Sequence, residues 1–117
     1  MGENAIREKS KLFAIRVIRL YQFLTDKKRE FTISKQLLRA GTSIGANVRE
    51  ATQAFSKNDF TYKMSIALKE CDETCYWLEI LQETGYVSPA QYENIYNDAQ
   101  ELFKMLTAIV KTAKSDS

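Results

Sequence analysis

Apolar residues recur every three to four positions along almost the whole chain, the spacing that lays one hydrophobic stripe along an α-helix. Ile6, Phe13, Val17, Leu20 and Leu24 make a first stripe and predict a helix over about 4–27. After a turn around Asp26–Glu30, Ile33, Leu37, Ala40, Ile44, Val48, Ala51 and Phe55 make a second, predicting a helix over about 34–55. Phe60, Met64, Ala67, Cys71, Cys75 and Leu78 mark a third over about 57–84. Tyr92, Ile95, Ala99, Leu102, Leu106, Ile109 and Ala113 mark a fourth over about 89–113.

The boundaries carry their own signals. Ser56 with Asp59 three residues later reads as a helix cap, and Gly85 as a left-handed stop. Ser88, Pro89 and Gln91 form a capping box with proline at the first helical position, and Val87 is placed to staple onto Tyr92. Four helices joined by short turns predict an all-α, antiparallel up-down-up-down four-helix bundle, a single domain over residues 1–117. One proline and four glycines in 117 residues suit long helices and not a turn-rich β-sandwich.

Two of the helices have more apolar surface than one stripe. On helix 1, Ile15 and Ile18 point nearly opposite the main stripe, with Leu12 and Phe23 on a third side. On helix 3, Tyr62, Ile66, Trp77 and Ile80 form a second row broken by Lys69 and Glu73. A lone protomer leaves these residues uncovered, so they predict a homo-oligomer assembled through helices 1 and 3. On helix 2, Gly41 and Gly45 sit in the interior, where each costs about 1 kcal/mol against alanine. Such a pair predicts the close approach of another backbone or a bulky side chain.

Composition removes several chemistries. Histidine is absent, which rules out Ser-His-Asp and Cys-His catalysis and the Glu-x-x-His ligands of ferritin-like bundles. No phosphate-binding loop of the Walker type and no GxGxxG pattern is present. Cys71 and Cys75 share one helical face and read as small buried hydrophobes, without the further ligands of a zinc site. No catalytic, cofactor-binding or metal-binding residue is therefore assigned, and no cofactor is expected. Glu50, Glu70 and Glu73 remain as a carboxylate cluster that acid/base chemistry would need to converge between helices 2 and 3. Ser43, Asn47, Glu50 and Glu73 read instead as a polar seam setting helix register.

No apolar run reaches the roughly 18 residues of a membrane span, and the first residues match neither a signal peptide nor the myristoylation pattern, because Ile6 replaces the required Ser or Thr. A cytoplasmic protein is expected. The net charge is only +2, yet residues 1–57 carry +7 and residues 58–117 carry −5. Lys35, Arg39, Thr42, Ala46, Arg49, Gln53 and Lys57 line the polar face of helix 2 at spacings of three and four, with Arg16 and Arg19 on helix 1 as possible extensions. Several cations around a small, flat centre suit a phosphate backbone, without sequence readout.

The run Arg39-Ala40-Gly41-Thr42-Ser43-Ile44-Gly45-Ala46-Asn47-Val48-Arg49-Glu50-Ala51, followed by Asp59-Phe60, Ala67-Leu68-Lys69-Glu70, Glu73-Thr74 and Trp77-Leu78, resembles the four-helix-bundle family named for 23S rRNA intervening sequences. The resemblance covers nearly the whole chain. It implies a bacterial cytoplasmic protein whose antiparallel bundle assembles into a ring, a pentamer. A related branch, the accessory proteins of diversity-generating retroelements, is similar in fold, associates with a reverse transcriptase and nucleic acid, and is markedly more basic than this chain. The residues and the resemblance together lead to one expectation: a non-enzymatic, oligomeric accessory protein that binds RNA or other nucleic acid through Lys35, Arg39, Arg49, Lys57, Arg16 and Arg19. The alternative is a scaffold for a polypeptide partner, with no nucleic-acid role.

Overall fold

The computed structural model describes residues 2–115, which form four helices. They are α1 (Gly2–Asp26), α2 (Ile33–Thr52), α3 (Lys57–Glu83) and α4 (Pro89–Ser115). At about 1.5 Å per residue, helices of this length account for the long axis of a 46 × 20 × 20 Å molecule. Each helix packs on two others in the cyclic order α1–α2–α3–α4, and α1 and α3 stand at opposite corners without touching.

The side-chain pairs fix the directions. Lys9 meets Glu101 while Arg16 meets Asp98, and Glu50 meets Lys63 while Arg39 meets Glu70 and Glu73. Position numbers rise on one helix as they fall on its neighbour, so these neighbours are antiparallel. Phe13, Val17, Leu24, Leu37, Ile44, Met64, Leu78, Leu102 and Leu106 fill a single core, each almost wholly removed from water. Burying a side chain of this size contributes about 1.5–3 kcal/mol, so this shared core is what holds the helices together.

Gly41 and Gly45 are where α1 comes closest to α2. A Cβ on Gly41 would lie 2.7 Å from both methyls of Val17, and one on Gly45 would lie 3.3 Å from the carbonyl oxygen of Ser10. The pair therefore admits a side chain at one position and a backbone at the other.

The predicted caps form. Ser56 accepts from the Asp59 N–H at 3.0 Å, and the Ser88–Gln91 box closes in both directions at 3.1 and 2.8 Å. Gly85 takes a φ of 83°, the left-handed region that ends α3.

Two details depart from the sequence pattern. Helix α2 ends at Thr52, three residues short of the predicted 55, because Ser56 adopts the extended conformation of the next helix's cap and residues 53–56 become the turn. Phe55 falls in that turn and is fully exposed rather than buried with the α2 stripe. The apolar stripes also run slightly differently near the helix ends, where Leu81 and Val110 enter the core.

Candidate nucleic-acid interface

Helix α2 touches α1 on one side and α3 on the other, which leaves its polar face outward. Lys35 and Arg49 are exposed on that face, whereas Lys57, expected to continue it, is the exposed first residue of α3 because α2 stops at Thr52; among the described residues none of the three side chains makes an ion pair. Ala46 is exposed between the cations, and Thr42 turns its hydroxyl back to the Leu38 carbonyl at 2.7 Å. The middle of the face is thus small, with no charge of its own.

Arg39 is engaged elsewhere. Its guanidinium bridges Glu70, at 3.3 Å, and Glu73 across the α2–α3 groove. Two carboxylates beside one guanidinium neutralise its charge locally, so Arg39 contributes little to an anion-binding face. Arg16 is also drawn away from α2. It lies in the groove between α1 and α4, where it donates to Asp98 and, at 2.6 Å, to Asn94. The α1–α4 groove is on the far side of the bundle from the α2–α3 groove, so the structure does not bring Arg16 together with Arg39. Arg19 is exposed on α1 and donates to Gln22 of its own helix at 3.3 Å.

The polar seam is local rather than interhelical at its centre. The Asn47 amide donates to the Ser43 carbonyl at 2.9 Å and to its hydroxyl at 3.0 Å, one turn back on the same helix. Glu50 is exposed and receives Lys63 at 2.8 Å. Glu73 accepts from Arg39 and also from the Trp77 indole N–H at 2.8 Å. Glu50, Glu70 and Glu73 therefore do not converge on an open acid/base site, because each faces a cation. Among the described residues no group of three or more His, Cys, Asp and Glu is arranged to hold a metal ion. Among the described residues no helix is long and apolar enough to cross a membrane.

The surplus apolar residues divide into two kinds. Leu12, Ile15, Ile18 and Tyr62 are exposed, as is Tyr76, which the stripe on α3 had not included. Phe23, Ile66, Trp77 and Ile80 are half-buried, and Phe23 and Trp77 pack against the core. The exposed members sit on α1 and α3, at opposite corners of the bundle.

One group was missed in the sequence, at the α1–α2 turn. Arg29 takes a φ of 54°, and its guanidinium lies 5.2 Å from the ring centre of Phe31. Lys28 lies 5.8 Å from the ring centre of Phe23. Glu30 folds inward, where its carboxylate accepts from the backbone N–H groups of Thr32, Ile33 and Ser34 at 3.1, 2.9 and 2.7 Å. Burial alone would raise the carboxyl's pKa, but these backbone donors outweigh it and hold it below its ordinary value. The signal was legible as a run of three cations beside an aromatic, Lys27-Lys28-Arg29-Glu30-Phe31.

The model of the 23S rRNA-intervening sequence protein family matches residues 2–108. The chain belongs to that family. A solved structure is similar throughout: a protein of unknown function from the S23 ribosomal protein family of Bacteroides thetaiotaomicron VPI-5482, determined at 1.70 Å resolution. It is 53% identical, with a TM-score of 0.93 over 95% of this chain and 99% of that one. No curated protein matches the chain. The family membership agrees with the motif around Ser43, Asn47 and Glu50, and the solved relative has the same four-helix fold.

Proposed function

We propose that this 23S rRNA-intervening sequence protein family member is a non-catalytic, homo-oligomeric accessory protein of the cytoplasm that associates with RNA or another nucleic acid. The observation that carries the reading is the outer face of α2, where Lys35 and Arg49 are exposed without acidic partners around a small centre, with Lys57 exposed beyond the next turn as the first residue of α3. Cations left uncovered in this way release counterions when they meet phosphates, and that release supplies most of a non-specific affinity. Arg39 and Arg16 leave the contact set, since carboxylates already hold both. Filter-binding of an RNA across a salt series tests the reading. Affinity should fall steeply with salt, and Lys35→Ala, Arg49→Ala and Lys57→Ala should each lower the slope by about 1. A salt-independent affinity, or one unchanged in all three variants, would remove it.

The oligomer rests on separate ground. Leu12, Ile15 and Ile18 on α1 face away from Tyr62 and Tyr76 on α3. A two-fold contact would cover only one of these faces, whereas a head-to-tail contact of α1 on α3 of the next copy covers both, and makes a ring where the rotation between copies closes. Light scattering of the parent and of Ile15→Glu decides it: the parent should exceed the mass of one 13.5 kDa chain, and the variant should fall towards it. These same exposed apolar residues also support the second reading, a scaffold whose partner is a polypeptide. A monomeric parent that co-purifies with a protein after nuclease treatment would favour that reading.

A further inference from the structure

We infer that the α1–α2 turn is a binding site for single-stranded nucleic acid, in which Phe31 stacks on a base and Lys28, Arg29 and Lys35 hold the flanking phosphates. The inference rests on the nucleic-acid reading above and gives it a strand class and a second location. Its basis is the placement of charge and ring at one spot. Phe31 is 46% exposed, an unusual position for a phenylalanine in a turn of six residues, and nothing from the core holds it there. Arg29 lies over one side of its ring at 5.2 Å from the centre, and Lys28, set over Phe23, and Lys35, in the first turn of α2, are exposed within four residues of it in sequence. The acid nearest in sequence does not cancel them, because the Glu30 carboxylate is turned into the bundle and is held by three backbone N–H groups. Asp26 lies at the helix end and pairs with Lys27 at 3.7 Å.

An exposed ring among cations is what an unpaired strand needs and a duplex does not. Each base of a single strand presents a π-face, and stacking on an aromatic residue adds to the phosphate attraction without reading sequence. In a duplex the bases are stacked on one another, and Phe31 would gain nothing. An anionic membrane would also attract the cations, but one half-exposed ring beside polar Thr32 offers little apolar area for insertion. The turn continues into the outer face of α2, since Lys35 stands near the start of that helix. A strand held at Phe31 can therefore run on toward Arg49.

The test compares the full chain with Phe31→Ala and Phe31→Trp, both at an exposed position. The probes are a uridine homopolymer of about 20 nucleotides, an RNA duplex of similar length and vesicles containing phosphatidylserine. Phe31→Ala should weaken binding to the homopolymer about tenfold and leave the duplex within about twofold, and Phe31→Trp should restore the homopolymer. In addition, the new indole should lose fluorescence as a base stacks on it. An equal loss on both probes, or no loss on the homopolymer, overturns the inference. If Phe31→Ala changes nothing while Lys35→Ala with Arg49→Ala weakens both probes, the α2 face stands and this site falls. Binding to neither RNA removes both readings, and a loss confined to the vesicles assigns the turn to a membrane surface instead.

Discussion

The side chain of Val17 occupies the space that a Cβ on Gly41 would need, with both its methyls 2.7 Å from that point. Val17 is β-branched and has one preferred rotamer in a helix, so it does not swing aside. Gly41→Ala should gain up to about 1 kcal/mol in helix propensity and lose more to overpacking, a net loss of about 1–2 kcal/mol. Val17→Ala alone should also destabilise, by leaving a cavity. The double variant should be more stable than the sum of the two predicts, because each change relieves the other. Urea unfolding of the four proteins measures this coupling, and simple additivity would count against it.

The same contact shows what the sequence made legible. The glycine pair announced a close approach on α2, since interior glycines are unfavourable without a steric reason, but it could not say what approached. Stripe periodicity located all four helices for the same reason that it failed at Phe55. Period alone continues an apolar row, while Ser56 competes for the backbone and ends the helix earlier. Charges were the least legible feature. Arg39 lies in register with Lys35 and Arg49, and nothing local to α2 reveals that Glu70 and Glu73 reach it from 31 and 34 residues away. Glu30 was hidden because it caps α2 from outside the helix, two residues before the usual cap position.

Glu30 gives the fold an acid-sensitive joint. Its folded pKa lies below the ordinary 4.5, so the carboxylate's contribution is fully present above the unfolded value and is lost as pH falls through the folded one. Glu30→Gln should lower stability by about 1 kcal/mol near neutral pH, the usual cost of a weakened cap. Once the pH has fallen through the lowered folded value the two proteins should converge, because the parent's carboxyl is then protonated too. Denaturant unfolding at several pH values checks this, and a gap that persists in acid would contradict it.

Arg39 should behave as a structural residue rather than a ligand. Arg39→Ala leaves Glu70 and Glu73 facing each other without their shared cation and should cost about 0.5–1 kcal/mol, since the pairs are partly exposed. The loss should shrink in high salt. RNA affinity should change less than in Lys35→Ala or Arg49→Ala, which leave stability nearly unaltered. Thermal unfolding alongside filter binding separates the two effects, and a larger affinity loss in Arg39→Ala would reverse the assignment.

The two thiols should be inert in the folded protein. Cys71 and Cys75 are both buried; the hydrogen bond with Cys75 and then burial push the Cys71 thiol far up. Its bond to Cys71, assisted by the Gln100 amide at 3.4 Å, favours the Cys75 thiolate despite burial. Access limits both. Ellman's reagent at about pH 8 should label neither in the native state and both after unfolding, at a rate set by opening of the α3–α4 seam. Rapid labelling of Cys75 in native protein would show that seam to be loose.

An even number of antiparallel helices gives the bundle two unlike ends. The α1–α2 turn shares its end only with the α3–α4 turn, while residues 2 and 115 lie at the other. In a ring of copies standing side by side, every Phe31 would come to the same rim, evenly spaced around it. A strand too weakly held by one turn could then be gripped by several at once, so subunit number would set the tightness of the hold without any new contact within a subunit.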